Sequence, residues 1–242
     1  MKTKILAIFA CLLWGSAFAG AKIGFEYTTP LHLSGMRFML AGLLLIPFLI
    51  YQKIDWISNL KEWRYMLLFG FLQTFIQYGF FFMGLNKVPA AISAIIIGGG
   101  PFFVAVMAHF TMGNDRMSFR KILAIVLGMA GIVFISFAKG GSIHTDISFY
   151  YGVILLIISN IVGASTNIIV AKNRNKVSPV MLTAFANFSG GLILYIVSFF
   201  TEDWYVKPYS LEFYIAWIWL ALIPAVGFSI WYSLLKRPEV KV

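Results

Sequence analysis

Charged residues divide this chain into eight apolar runs, and each is close to the length that crosses a bilayer as a helix. The runs are Ile5–Ala21, Leu31–Tyr51, Tyr65–Asn86, Val88–Asn114, Ile122–Ala138, Ile147–Ala171, Val177–Thr201 and Phe213–Leu235. A helix needs roughly 20 residues to cross about 30 Å of hydrocarbon. Bare backbone finds no water there, so each run must bond its own peptide groups as a helix. Hydrophobic residues make up 60% of the chain and charged ones 12%, which excludes an ordinary soluble domain. The expected fold is an all-α integral membrane bundle of eight spans.

The net charge of +10 invites a nucleic-acid reading, but its distribution gives another. With a cytoplasmic N-terminus, the inward segments hold Lys2, Lys4, Lys53, Lys61, Arg64, Arg116, Arg120, Lys121, Lys172, Arg174, Lys176, Lys236, Arg237 and Lys241, which is 14 of 19 basic residues. Lys22, Arg37, Lys87, Lys139 and Lys207 are left on the outer side. Excess Lys and Arg mark the cytoplasmic face, so the charge reports topology. The expected setting is a multi-pass protein of the plasma or inner membrane with its N-terminus inside, and no nucleic acid as partner.

Two readings of the N-terminus compete. Met1–Lys4, the apolar stretch Ile5–Trp14 and Ala17-Phe18-Ala19 resemble a cleavable secretory signal. Against cleavage, the apolar run continues to Ala21, and a second stretch of the chain mirrors it; a retained helix is the expectation. Cys11, the only cysteine, is expected as a buried inert thiol, with no internal disulfide.

The mirroring appears at an offset of 149 residues: Ser165 falls on Ser16, Pro179 on Pro30, Leu234 on Leu85, Lys236 on Lys87 and Pro238 on Pro89. The first unit holds five spans, so its copy must enter from the opposite side. Inverted repeats of this kind build many secondary transporters, with the substrate site between the halves near the midplane. The expected organisation is therefore a five-span repeat over residues 1–138, a linker over 139–147 and an incomplete second repeat over 148–242, five spans plus about three. By repeat logic two helices are absent at the C-terminal end. Truncation is the favoured explanation; otherwise a partner, a second copy among them, covers the exposed face.

The segment Leu13-Trp14-Gly15-Ser16-Ala17-Phe18, followed by Pro30 and Arg37, resembles the opening of the EamA family in the drug/metabolite transporter superfamily. Gly84-Leu85, Pro89-Ala90-Ala91, Pro101-Phe102-Phe103 and Gly128-Met129-Ala130-Gly131-Ile132 continue the likeness. It implies ten spans in two inverted five-helix repeats, and export of amino acids, metabolites or drugs. The family's Leu-Gly-Glu near the end of the fourth span is replaced here by Met112-Gly113-Asn114-Asp115.

Polar groups at membrane depth cost free energy to insert, which makes them the first candidates for a site. Gln73 and Gln77 share a stripe of the third span, with Thr74 and Tyr78 beside them; substrate contact and interhelical bonding are the two readings. Their repeat partners Leu222, Val226 and Gly227 are apolar. Asn160, Gly163 and Asn167 fall on one face of the sixth span, and Asn187 lies mid-way along the seventh. Trp14 walls a cavity or simply packs. Gly98-Gly99-Gly100-Pro101 interrupts the fourth span and predicts a kink or unwound turn. Arg37 is the only charge well inside a span, about 9 Å from its outer end at helical rise. It either snorkels outward or serves as a gate or contact to a substrate charge. Lys22 and Glu26, four residues apart, are expected to pair.

All nine acids lie in loops or at span ends, so no carboxylate is placed mid-membrane to relay protons or hold sodium. His109 is the only imidazole at depth, expected as a packing residue. No nucleotide motif, metal-ligand set or cofactor signature is present. The expected function is a secondary transporter exporting small metabolites, amino acids or drugs by alternating access, with a small-molecule substrate and the lipid bilayer as its partners. A non-transporting membrane scaffold or partner subunit is the alternative. An intramembrane enzyme is disfavoured, because no intramembrane aspartate pair or H-E-x-x-H motif exists.

Overall fold

The computed structural model describes residues 2–111, 146–173, 175–203 and 207–235, and between these blocks residues 119, 122, 123, 126, 127 and 130. Seven helices among them are long and apolar enough to cross a membrane. The first is α1 (Lys2–Phe25). The second is α2 (Pro30–Leu44) continued by α3 (Ile46–Tyr51), and a short α4 (Trp56–Leu60) lies in the turn that follows. The third runs as α5 (Trp63–Gly70), a π-helix (Phe71–Gln77) and α6 (Tyr78–Lys87). The fourth is α7 (Ala90–Gly98) with α8 (Gly100–Thr111). Then come α9 (Ile147–Lys172), α10 (Pro179–Thr201) and α11 (Leu211–Leu235). The expected span Ile122–Ala138 has only five described positions; the rest of it, Met112–Asp115 and most of the 139–147 linker lie outside the described residues.

Local chemistry sets the helix starts. Pro30 and Pro179 occupy the first turns of α2 and α10, where a missing N–H costs nothing. Asp146 caps α9 by accepting from the Phe149 N–H at 2.8 Å. Glu202, at the end of α10, accepts from the Leu31 and His32 amides at 2.9 and 3.3 Å and so closes the start of α2. At the opposite end of that pair, Asn59 accepts from the Ser178 amide at 2.7 Å and closes the start of α10. Each helix of the pair is thus capped from the segment that follows the other.

The core is built on α2 crossing α10 antiparallel, in contact that only small residues allow. A Cβ at Gly42 would stand 2.7 Å from Phe188 Cβ, and one at Gly191 would stand 2.7 Å from the Met39 backbone N. Subtracting 149 turns Gly191 into Gly42 and Phe188 into Met39, so one contact is made twice with the partners exchanged. The flanking pairs follow suit. The first span, α1, packs against α11, and α9 packs against the third span; the same subtraction converts one pairing into the other. Both are antiparallel, as the contacts of Trp14 with Gly227 and Gly20 with Leu220 show for the first. Close backbone approach through small residues is how helices associate where lipid removes the hydrophobic drive.

Helix irregularities also correspond. Pro224 inside α11 falls on Phe75, the middle of the π-helix. The interruption expected at Gly98–Pro101 is present: α7 stops at Gly98 and α8 begins at Gly100.

Three expectations need correction. Cys11 is exposed, its face of α1 left uncovered by the described residues. Lys22 does not turn to Glu26; its Nζ donates to the Leu85 and Val88 carbonyls at 2.6 and 3.1 Å and finishes the third span. Arg37 does not snorkel: it is 2% exposed, enclosed by α2, α6 and their neighbours.

Candidate functional site

At the junction where α1 and α11 meet the third span, aromatic rings form a continuous wall. Trp14 on α1 lies 5.6 Å from the Phe228 ring and 5.7 Å from Trp231, both on α11. Phe228 stacks on Tyr232 and meets Tyr78 of α6 at 6.0 Å. Tyr78 then meets Phe38 of α2 at 4.6 Å. Gly227 admits the indole: a Cβ there would stand 3.0 Å from Trp14 Nε1.

Polar atoms without partners lie on the helices around these rings. Trp14 Nε1, Tyr232 Oη, Thr74 Oγ1, Gln77 Oε1 and Asn187 Nδ2 are each buried with no hydrogen-bond partner among the described residues. A buried polar group left unpaired costs about 1–3 kcal/mol, so folded chains satisfy nearly all of them. The five atoms belong to α1, the third span, α10 and α11.

The sequence candidates divide between unpaired and paired groups. Gln73 is committed: its Oε1 accepts a short hydrogen bond from Thr166 Oγ1 of α9. Asn160 is committed too. Its Nδ2 donates at 2.6 Å to the Ile96 carbonyl, which also accepts from the Gly99 N–H at 3.1 Å, next to the interruption of the fourth span. The broken helix and the sixth-span asparagine, read separately in the sequence, are one joint. Asn167 accepts from Trp231 Nε1 at 2.8 Å and so ties α9 to α11. Gln77 differs: its backbone carbonyl accepts from Ser159 Oγ at 2.9 Å, while its amide presses against Gly163 with Oε1 unpaired. His109 is exposed near the end of α8, its ring against Phe110, far from this junction in sequence and in neighbours.

Arg37 lies beyond Tyr78. Its guanidinium carbon is 4.2 Å from the Phe38 ring centroid, 4.5 Å from Phe82 and 5.4 Å from Tyr78. Neither Nε nor Nη1 has an acceptor among the described residues.

Sequence reasoning missed Phe228, Trp231 and Tyr232. In a span apolar on every side, periodicity does not single out the inward face, and aromatic residues in such spans ordinarily read as lipid-facing or interfacial. Only the repeat offers a signal: Gly227 falls on Tyr78, so a small residue in one half stands where the other half has a ring.

Residues 1–137 match the model of the EamA-like transporter family. The chain belongs to that family. Among its relatives, the uncharacterized transporter YvbV of Bacillus subtilis is 25% identical over 239 residues, covering 98% of this chain and 76% of that protein. A protein of Escherichia coli named a probable amino-acid metabolite efflux pump is 29% identical over 133 residues, 54% of this chain and 42% of its own length. A solved crystal structure matches the fold with a TM-score of 0.82 at 18% identity, covering 98% of this chain and 79% of that one. Family membership makes this a multi-pass membrane protein of a transporter family, and the family and relatives' names point to transport rather than catalysis.

Proposed function

We propose that this EamA-family chain is a secondary exporter of small metabolites, working by alternating access between two inverted repeats, residues 1–138 and 148–242, joined by 139–147. The observation that carries the reading is the aromatic junction of Trp14, Tyr78 and Phe228 with its unpaired polar atoms. It lies where the first span of one half meets the third span of the other, the position at which inverted-repeat transporters hold substrate.

In this reading Trp14, Gln77, Tyr78 and Asn187 face the substrate, while Gln73 and Asn160 hold the helices that frame it. A solute entering the junction would supply acceptors for Trp14 Nε1 and Asn187 Nδ2 and a donor for Gln77 Oε1, repaying their desolvation. Gly98–Pro101 is the flexible joint of the fourth span, tethered through Asn160. Amino acids and their derivatives are the first solutes to try, because one relative is named for them. The positive-inside distribution puts the N-terminus in the cytoplasm of a cell whose inner or plasma membrane holds the protein.

The test is efflux from proteoliposomes preloaded with a mixture of amino acids and nucleosides, followed by mass spectrometry. Wild type should deplete specific solutes, and Gln77→Leu and Trp14→Ala should lower that efflux about tenfold while inserting normally. Unchanged efflux in both variants would remove these residues from the site. Absence of any depletion by folded wild-type protein would remove the exporter reading itself.

A further inference from the structure

Arg37 is a buried cation whose rings account for only part of its surroundings. Phe38, Phe82 and Tyr78 surround the guanidinium at 4.2, 4.5 and 5.4 Å from its central carbon. Rings stabilise a cation through their faces and offer no acceptor to an N–H. Nε and Nη1 have no acceptor among the described residues, in a residue 2% exposed. Charged side chains at membrane depth pair with one another or mark a substrate path. No acid stands inside any span to act as partner. A guanidinium keeps its charge under all ordinary conditions, so this one does not escape by losing a proton.

Its location adds the second half of the argument. Tyr78 is shared by Arg37 and the aromatic junction: its ring centroid lies 5.4 Å from the guanidinium carbon and 6.0 Å from that of Phe228. Movement of that one ring would open the cation to whatever occupies the junction. A planar guanidinium recognises a planar carboxylate through strong, directional bonds.

We propose that Arg37 is the anchor for a carboxylate on the transported solute, with the Trp14–Phe228–Tyr78 wall taking an apolar or aromatic group of the same molecule. This rests on the exporter reading and narrows it to anionic or zwitterionic carboxylates. It assigns Arg37 to specificity, not to holding the fold.

Proteoliposomes carrying the full chain are given labelled phenylalanine, phenylalaninamide, phenethylamine or thymidine. Wild type should move phenylalanine at least about tenfold faster than phenylalaninamide or phenethylamine, which keep the ring but lack the carboxylate. Arg37→Gln should lose phenylalanine transport by a similar factor, and Arg37→Lys should keep more of it than Arg37→Gln. Equal movement of phenylalanine and phenethylamine by wild type overturns the anchor, as does an Arg37→Gln variant that moves phenylalanine at the wild-type rate. Movement of thymidine alone overturns the anchor and leaves the exporter reading intact; movement of none of the four by folded protein removes both. Should Arg37→Gln fail to insert, the wild-type comparison of phenylalanine with its amide decides, since it needs no variant.

Discussion

Gly227 and Trp14 are complementary: the indole Nε1 lies where the first carbon of any side chain at 227 would press, 3.0 Å from that carbon's position. At Gly163, the position 149 residues after Trp14, the bulk is reversed. There Gly163 is the small partner, and a Cβ on it would stand 2.7 Å from Gln77 Nε2. Gly227→Val should therefore push the indole out of its place and cost about 1–3 kcal/mol, as overpacked sites do. Unfolding in mixed micelles reads the loss, and tryptophan emission reads the displacement. An unshifted spectrum would mean that Trp14 is not held there.

Gln73 and Gln77 should separate by assay. Gln73→Leu breaks the bond with Thr166, and a double-mutant cycle with Thr166→Val should give a coupling of about 0.6 kcal/mol, the mean for such bonds between membrane helices. Gln77→Leu should leave stability nearly unchanged and reduce transport. A Gln73 variant of normal stability and impaired transport would reverse the assignment.

Asn160→Leu removes one of the two donors to the Ile96 carbonyl at the interruption of the fourth span and leaves the Gly99 N–H. Loss of that one bond should cost about 0.5–1.5 kcal/mol. Hydrogen exchange should rise around Ile96–Gly100. Protection equal to wild type would show that the break is stable without its tether.

Tyr232→Phe is expected to go the other way. The hydroxyl is buried, with no partner among the described residues, and removing an unsatisfied polar atom stabilises by up to about 1 kcal/mol. Stability gained together with transport lost would mark the hydroxyl as part of the substrate path. A clear loss of stability would reveal a partner for it.

Glu202 and Asn59 close opposite ends of the α2–α10 pair. Glu202→Ala should cost about 0.5–2 kcal/mol, the range for a lost helix cap. It should also raise exchange at Leu31 and His32, and Asn59→Ala should do the same at Ser178. Exchange that spreads over both ends in either variant would mean the two caps open together.

Much of the fold was legible because apolar length and charge placement respond to the bilayer directly, and seven of the eight expected spans are found among the described residues. The offset of 149 rested on five identities, with Pro30 and Pro179 at helix starts among them, and the glycine crossings that follow it, Gly42 on Phe188 and Gly191 on Met39, needed the structure. Arg37 shows where legibility ended. Its depth was plain from the sequence, but whether it reached the surface depended on which face α2 turns toward Tyr78 and Phe82, and that is decided by packing. The third span shows the same limit. Helical spacing put Gln73 and Gln77 on one stripe, whereas the wider winding from Phe71 to Gln77 accompanies their different fates: Gln73 is bonded to Thr166, and Gln77 Oε1 is left without a donor among the described residues.

That wider winding makes the second half of the third span depend on a single codon. A π segment carries one residue more than the α-helix it interrupts needs. Deleting one residue between Phe71 and Gln77 would let the span close as plain α-helix and rotate everything beyond it by about 100°. Tyr78 would leave both Phe228 and Arg37, and Phe82 would turn with it. The side of this helix that meets its neighbours was therefore selectable in one step, without a change in any side chain that does the meeting.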